Sequence, residues 1–141
     1  MNSNHAALWD WFAQCAKITK LFFSFGECTD TATILVPAGE TILQEFIDGS
    51  RRVRYNFELL RFLPVSAQPN DPGNVEMMED VEAIIDWVRR QNEAGHFPEI
   101  PGAAVEEIAA IEENAGYVAA RDGDMAKYMI PFAMDYLKEK G

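Results

Sequence analysis

One short run constrains this chain more than any other: Val53, Tyr55, Phe57 and Leu59 alternate with Arg54, Asn56 and Glu58. A period of two sends alternate side chains to opposite faces of a pleated strand, so one face is committed to a core and the other to water or a neighbour. Immediately upstream, Ile47-Asp48-Gly49-Ser50 reads as a tight turn, because Gly49 can take the positive φ that hairpin turns demand. Past Leu59 the apolar positions shift to Leu60 and Phe62, which predicts a bulge or burial on both faces. A hairpin feeding a long central strand is the expected nucleus of the fold.

What can cover that strand follows from size and composition. With 141 residues, nine Phe and three Trp, the chain can bury a core as a single α+β domain over residues 1–141. A net charge of −11 argues against general nucleic-acid binding, which needs cations to displace the counterions of phosphate. Cys15 and Cys28 are too few for a zinc framework and read as buried thiols in a reducing compartment. No segment approaches the roughly 20 apolar residues of a membrane span, and no signal peptide is recognisable. The expectation is a soluble protein made in the cytoplasm.

Leu8, Trp11, Phe12 and Cys15 recur at helical spacing and predict an amphipathic helix over Asn4 to Ala16. Strands are expected over Ile18 to Phe25 and Thr31 to Val36, the second ended by Pro37-Ala38-Gly39, with Thr41 to Ile47 leading into the turn. Pro64 to Asn74 reads as a loop. A central helix follows over about 75–94, with Asn74 as cap, Met77, Val81, Ile84, Ile85 and Val88 on one stripe, and Gly95 as the stop. Residues Val105 to Glu113 fit either a helix or a strand. The turn at Asp122-Gly123-Asp124 opens a terminal hairpin in which Tyr128, Ile130, Phe132, Met134 and Tyr136 share a face. Pro131 within that run predicts an edge position or a bulge, where another subunit could approach.

Residues with the spacing of catalytic chemistry are not found. The chain has no phosphate loop, dinucleotide fingerprint, His-Glu-x-x-His or Gly-x-Ser-x-Gly, and its two histidines are His5 and His96. No catalytic, cofactor-binding or metal-binding residue is predicted, and the chain is read as a non-enzyme. Charge is segregated instead: Asp71, Glu76, Glu79, Asp80, Glu82 and Asp86 lie on the central helix and its approach, while Arg51, Arg52, Arg54 and Arg61 gather on the hairpin. Either the acidic helix of one subunit meets the basic strand of the next, or the helix pairs with its own sheet.

In this order, the N-terminal helix, the Ile47-Asp48-Gly49-Ser50 turn, the Tyr55-Asn56-Phe57 to Arg61 strand, the helix bearing Trp87 and the closing Tyr128-Met129-Ile130-Pro131-Phe132 strand resemble the minor capsid and tail-terminator-like proteins of tailed phages and prophages. The resemblance implies helices packed on a mostly antiparallel sheet, with Val105 to Glu112 as a strand. It also implies a structural role at the head–tail joint: a ring, commonly of six subunits, that binds tail-tube and head-completion proteins, forms in the host cytoplasm and ends in the virion. An acidic lumen in such a ring would let DNA pass without sticking. Arg51, Arg52, Arg54 and Pro131 are the expected interface residues, with no cofactor, no specific nucleic-acid binding and no membrane partner. The alternative is a small binding or enzyme-like domain with a pocket between the central helix and the sheet, lined by Trp87 and Tyr55.

Overall fold

The computed structural model describes residues 4–16, 18, 20–23, 32–64, 72–111, 117–122 and 125–139. Among these residues eight elements follow in order: α1 (Asn4–Phe12), β1 (Lys20–Phe23), β2 (Ala32–Glu45), β3 (Arg51–Pro64), α2 (Pro72–Glu93), β4 (Ala103–Ala110), β5 (Tyr117–Asp122) and β6 (Met125–Lys138). The strands form one six-stranded sheet in the order β1-β2-β3-β6-β4, with β5 also paired to β6. Among the described residues only β1 with β2 is parallel; the other pairings are antiparallel. This is the expected α+β architecture.

The alternation that began at Val53 governs the layering. Val53, Tyr55, Phe57, Leu59 and Leu63 on β3, with Tyr128, Ile130, Phe132, Met134 and Tyr136 on β6, are buried in one cluster with Leu8, Trp11 and Phe12 of α1 and Val81, Ile84 and Val88 of α2. Both helices therefore cover the same face of the sheet. At the centre Phe57 and Phe132 stack at 5.3 Å, and Phe12 meets them at 5.8 Å each. Offset and edge contacts of this kind add about 0.5–1.5 kcal/mol per pair to the burial itself. Leu60 belongs to the opposite face, where it packs with Phe22, Ile34, Val36 and Phe62 in a second cluster. The expected change of phase past Leu59 is thus burial on two faces, with the register to β6 running unbroken from Arg51 to Pro64.

α2 ends as its sequence dictates. Gly95 has φ 71°, its N–H donates to Asn92 O at 3.1 Å, and His96 N–H donates to Gln91 O at 2.9 Å. That pair of bonds is a Schellman stop, which satisfies carbonyls the helix would leave unpaired. α1 is shorter than its apolar spacing predicts and ends at Phe12, although Cys15 beyond it is still buried. Residues 103–110 form a strand despite their Ala and Glu content. Pairing with β6 overrides helix propensity there.

Two proline-based expectations are corrected. Pro37-Ala38-Gly39 does not end a strand, since β2 runs on to Glu45 with a register shift between Pro37 and Glu40. Gly39, at φ 100°, absorbs the extra residue of that bulge. Pro131 is not on an edge: β6 is paired to β3 on one side and to β4 and β5 on the other, and Pro131 is buried. Its carbonyl accepts from Ile111 N–H at 2.8 Å. A strand residue presents N and O to the same side, so the missing N–H faces the interval between the end of β4 and the start of β5. Cys28, residues 65–71, and Gly123 and Asp124 of the terminal turn lie outside the described residues.

Candidate interaction surface

The two long sides of the sheet are treated differently. On β4, the Ile108 N–H points away from β6 and donates to the Asn92 side chain of α2 at 3.0 Å, so the helix covers that edge. On the other side β1 pairs only with Ala32 to Leu35. Among the described residues, β2 from Val36 to Glu45 has a partner on its β3 side alone. Every side chain from Ala38 to Glu45 is exposed, including Ile42 and Leu43. Exposed, unpaired strand edges offer a row of backbone donors and acceptors to any passing strand, and most proteins blunt them with bulges, charge or cover. Here the edge carries two irregularities, the bulge at Gly39 and a second register shift between Ile42 and Gln44 that leaves Leu43 as the extra residue, while the acids Glu40 and Glu45 flank the Ile42-Leu43 pair.

Beyond β2 the hairpin closes on Phe46 to Ser50. Asp48 Oδ1 accepts from the Ser50 N–H at 2.9 Å and from the Ser50 hydroxyl at 2.6 Å, while Gly49 takes φ 91°. These bonds from Ser50 hold the Asp48 carboxyl below its ordinary range. The turn is thereby fixed, and it projects Ile47 with its side chain wholly in solvent.

Arg52 and Arg54, which sequence patterning places on the face away from the helices, lie there and pair within the chain. The Arg52 guanidinium donates to both Glu106 oxygens, at 2.7 and 3.2 Å, and to Gln44 at 3.0 Å. Arg54 grips Asp135 at 2.8 and 3.0 Å. Each arginine is held in its charged form chiefly by the hydrogen bond to its carboxylate. Arg51 at the strand end meets Glu45 at 3.7 Å, and both are largely exposed. Arg61 differs: it takes the core-facing position between Leu59 and Leu63, is buried, and donates to Asp80 of α2 and to Thr33. The acidic helix therefore pairs with its own sheet at this point, which decides that contact between the two alternatives charge segregation offers.

Between α2 and the sheet there is a small recess of about 60 Å³, lined by Ile85, Arg89 and Asn92 of α2 and Ile108 to Ala110 of β4, and neither Trp87 nor Tyr55 lines it. Trp87 packs on Trp11 at 4.7 Å, and Tyr55 lies buried beside Phe57. A larger recess occurs elsewhere, a half-open groove of about 590 Å³ between α1 and residues 96–101. The Trp11 indole N–H donates to His96 O at 3.0 Å and ties the two walls together. Among the described residues no group of His, Cys, Asp or Glu is placed to hold a metal ion, and no helix is long and apolar enough to cross a membrane.

Polar contacts pin α1 to the sheet. Asn4 donates to Glu40 and to the Tyr136 hydroxyl, and His5 shares a hydrogen bond with the Tyr55 hydroxyl. Burial, with Glu40 nearby, pushes the Tyr55 phenol from 10.0 up to about 12. The folded state thus keeps a proton that the unfolded chain gives up. Stability from this group is complete below pH 10.0 and is lost as pH rises toward about 12. Denaturant melts across that window should show the loss, and Tyr55→Phe should flatten it; an unchanged slope would place the ionisation elsewhere.

Ile42, Leu43 and Ile47 escaped sequence reasoning as surface residues. One signal was available: adjacent Ile and Leu in a strand cannot face the same side, so at least one had to leave the core. No protein-family model matches the chain, and no curated protein matches it significantly.

Proposed function

We propose that this chain is a structural assembly protein of a tailed-phage or prophage particle. In this reading it is a tail-terminator-like or minor tail or capsid component of the head–tail joint. It works by binding copies of itself and tail-tube subunits, and it transforms no substrate. The ring forms in the host cytoplasm and remains in the virion, with an acidic lumen that lets DNA pass.

The observation that carries this reading is the edge of β2 from Val36 to Glu45, open among the described residues, with Ile42 and Leu43 in solvent. Strand addition at such an edge supplies backbone hydrogen bonds for affinity, and alternate side chains supply selectivity. The order of elements that resembles the terminator family adds the head–tail assignment. Repetition of a heterologous contact closes a ring when the rotation per subunit divides a full turn.

Sedimentation velocity over a concentration series tests it. The expected result is a discrete closed oligomer, with six subunits as the size the resemblance implies. Replacing Ile42 and Leu43 by Lys should weaken association roughly ten- to a hundred-fold per residue, since each buried aliphatic side chain contributes about 1.5–3 kcal/mol. A monomer at every attainable concentration, alone and with tail-tube subunits encoded beside it, would overturn the proposal.

A further inference from the structure

The fixed turn at Phe46 to Ser50 and the groove beside α1 have matching properties, and we infer that they are the two halves of one contact, the turn of one copy seating in the groove of the next. This inference rests on the self-assembly proposed above and adds to the β2-edge pairing a second contact between the same neighbours.

Three observations carry it. First, the turn is already ordered. Phe46 N–H to Ser50 O at 2.9 Å, Gly49 N–H to Phe46 O at 3.0 Å and the two Asp48–Ser50 bonds hold it, so little conformational freedom remains to be lost on docking. Yet it presents a fully exposed isoleucine, a side chain that contributes nothing to the fold where it stands. Second, the groove has the size of a site for a discrete guest, about 590 Å³, within the roughly 300–1,000 Å³ range of such sites. Its surface is mixed, with Ala6 and Ala7 of α1 facing Phe97 and Ile100 as apolar patches among the polar Asp10, Gln14, His96 and Glu99. Third, the charges are complementary. Asp10 and Glu99 are exposed at the groove and, among the described residues, no Lys or Arg lines it, while the turn is followed by Arg51, whose contact to Glu45 is long and exposed.

The predicted contact places Ile47 against Ala6, Ala7, Phe97 and Ile100, with Arg51 exchanging Glu45 for Asp10 or Glu99 of the neighbour. Because turn and groove are different surfaces of the chain, the contact is heterologous and can repeat around a ring. A reciprocal two-subunit arrangement uses the same residues and would give the same mutational pattern with a mass of two chains.

Sedimentation velocity of the full chain is the test. Ile47→Lys replaces an exposed turn residue and leaves the core untouched; it should lower the association constant about tenfold or more. Arg51→Glu should do the same, and combining it with Asp10→Arg and Glu99→Arg in one chain should restore association. Ala7→Trp, which fills the groove, should block it, with circular dichroism confirming that α1 persists. If the parent chain associates but Ile47→Lys and the charge reversals leave its association constant unchanged, this contact is wrong while the self-assembly reading survives. If the parent chain never associates, both fall. Loss on Arg51→Glu without recovery in the triple reversal would overturn the charge pairing.

Discussion

Asp80→Ala is expected to lower the unfolding free energy by about 3 kcal/mol, the low end of what breaking a buried ion pair costs. The reason lies on the partner side. Arg61 is 1% exposed and receives its carboxylate from Asp80 at 3.0 Å, while Asp80 itself is 18% exposed. The substitution takes that carboxylate away from a cation which cannot move into water without pulling β3 out of the sheet. The Thr33 hydroxyl, at 2.8 Å, still accepts from the guanidinium but brings no charge. Arg61→Met with Asp80→Leu should recover most of the loss or exceed it, because well-packed apolar replacements avoid the desolvation of both ions. Urea melts of the three variants check this. A loss below about 1 kcal/mol in Asp80→Ala would mean that the pair behaves as a surface contact.

Phe12→Ala should be at least as damaging, at about 3–5 kcal/mol. Phe12 is fully buried and touches the rings of Trp11, Trp87, Phe57 and Phe132 at 4.9 to 6.1 Å. It is the residue through which α1 joins both the sheet and α2. Truncation leaves a cavity at that junction, and the cost rises with how little the neighbours can close it. Near-ultraviolet circular dichroism should lose the signal of the Trp11–Trp87 pair, whose rings are 4.7 Å apart. Phe12→Leu, which keeps most of the volume, should lose much less. Equal stability in Phe12→Ala and the parent would show that α1 is not part of the cooperative core.

Legibility of this fold from sequence depended on whether the deciding interaction was local. The faces of β3 and β6 could be read because alternation is a property of the strand itself, and the Asp48-Gly49 and Gly95 stops because positive φ is a property of one residue. Prolines were another matter. Whether Pro131 is tolerated depends on where β4 and β5 stop, and Pro37 is tolerated because Gly39 makes a bulge opposite β3. Neither condition is written near the proline. Arg61 likewise sits in phase with the apolar positions of β3, but composition marks it as a surface residue until Asp80 is seen above it.

The surface divides in the same way. Of the residues singled out beforehand, Arg52 and Arg54 lie on the open face and are paired to Glu106 and Asp135; Arg51 stands at the hairpin base; Pro131 is inside. The exposed apolar residues of β2 carried no sequence signature beyond the adjacency of Ile42 and Leu43, because Ile42 pairs opposite core-facing Val53. It is the extent of helix cover, a tertiary quantity, that leaves it in water.

Assembly through the β2 edge makes one measurement decisive: amide hydrogen exchange from Val36 to Glu45, compared between dilute and concentrated protein. Edge strands with unpaired N–H groups exchange readily, and pairing with a neighbour protects them. The outward-facing amides of this segment should slow by about tenfold or more on assembly, while those of β3 and β6 stay unchanged. Oligomers forming with no added protection anywhere in Val36 to Glu45 would contradict the account.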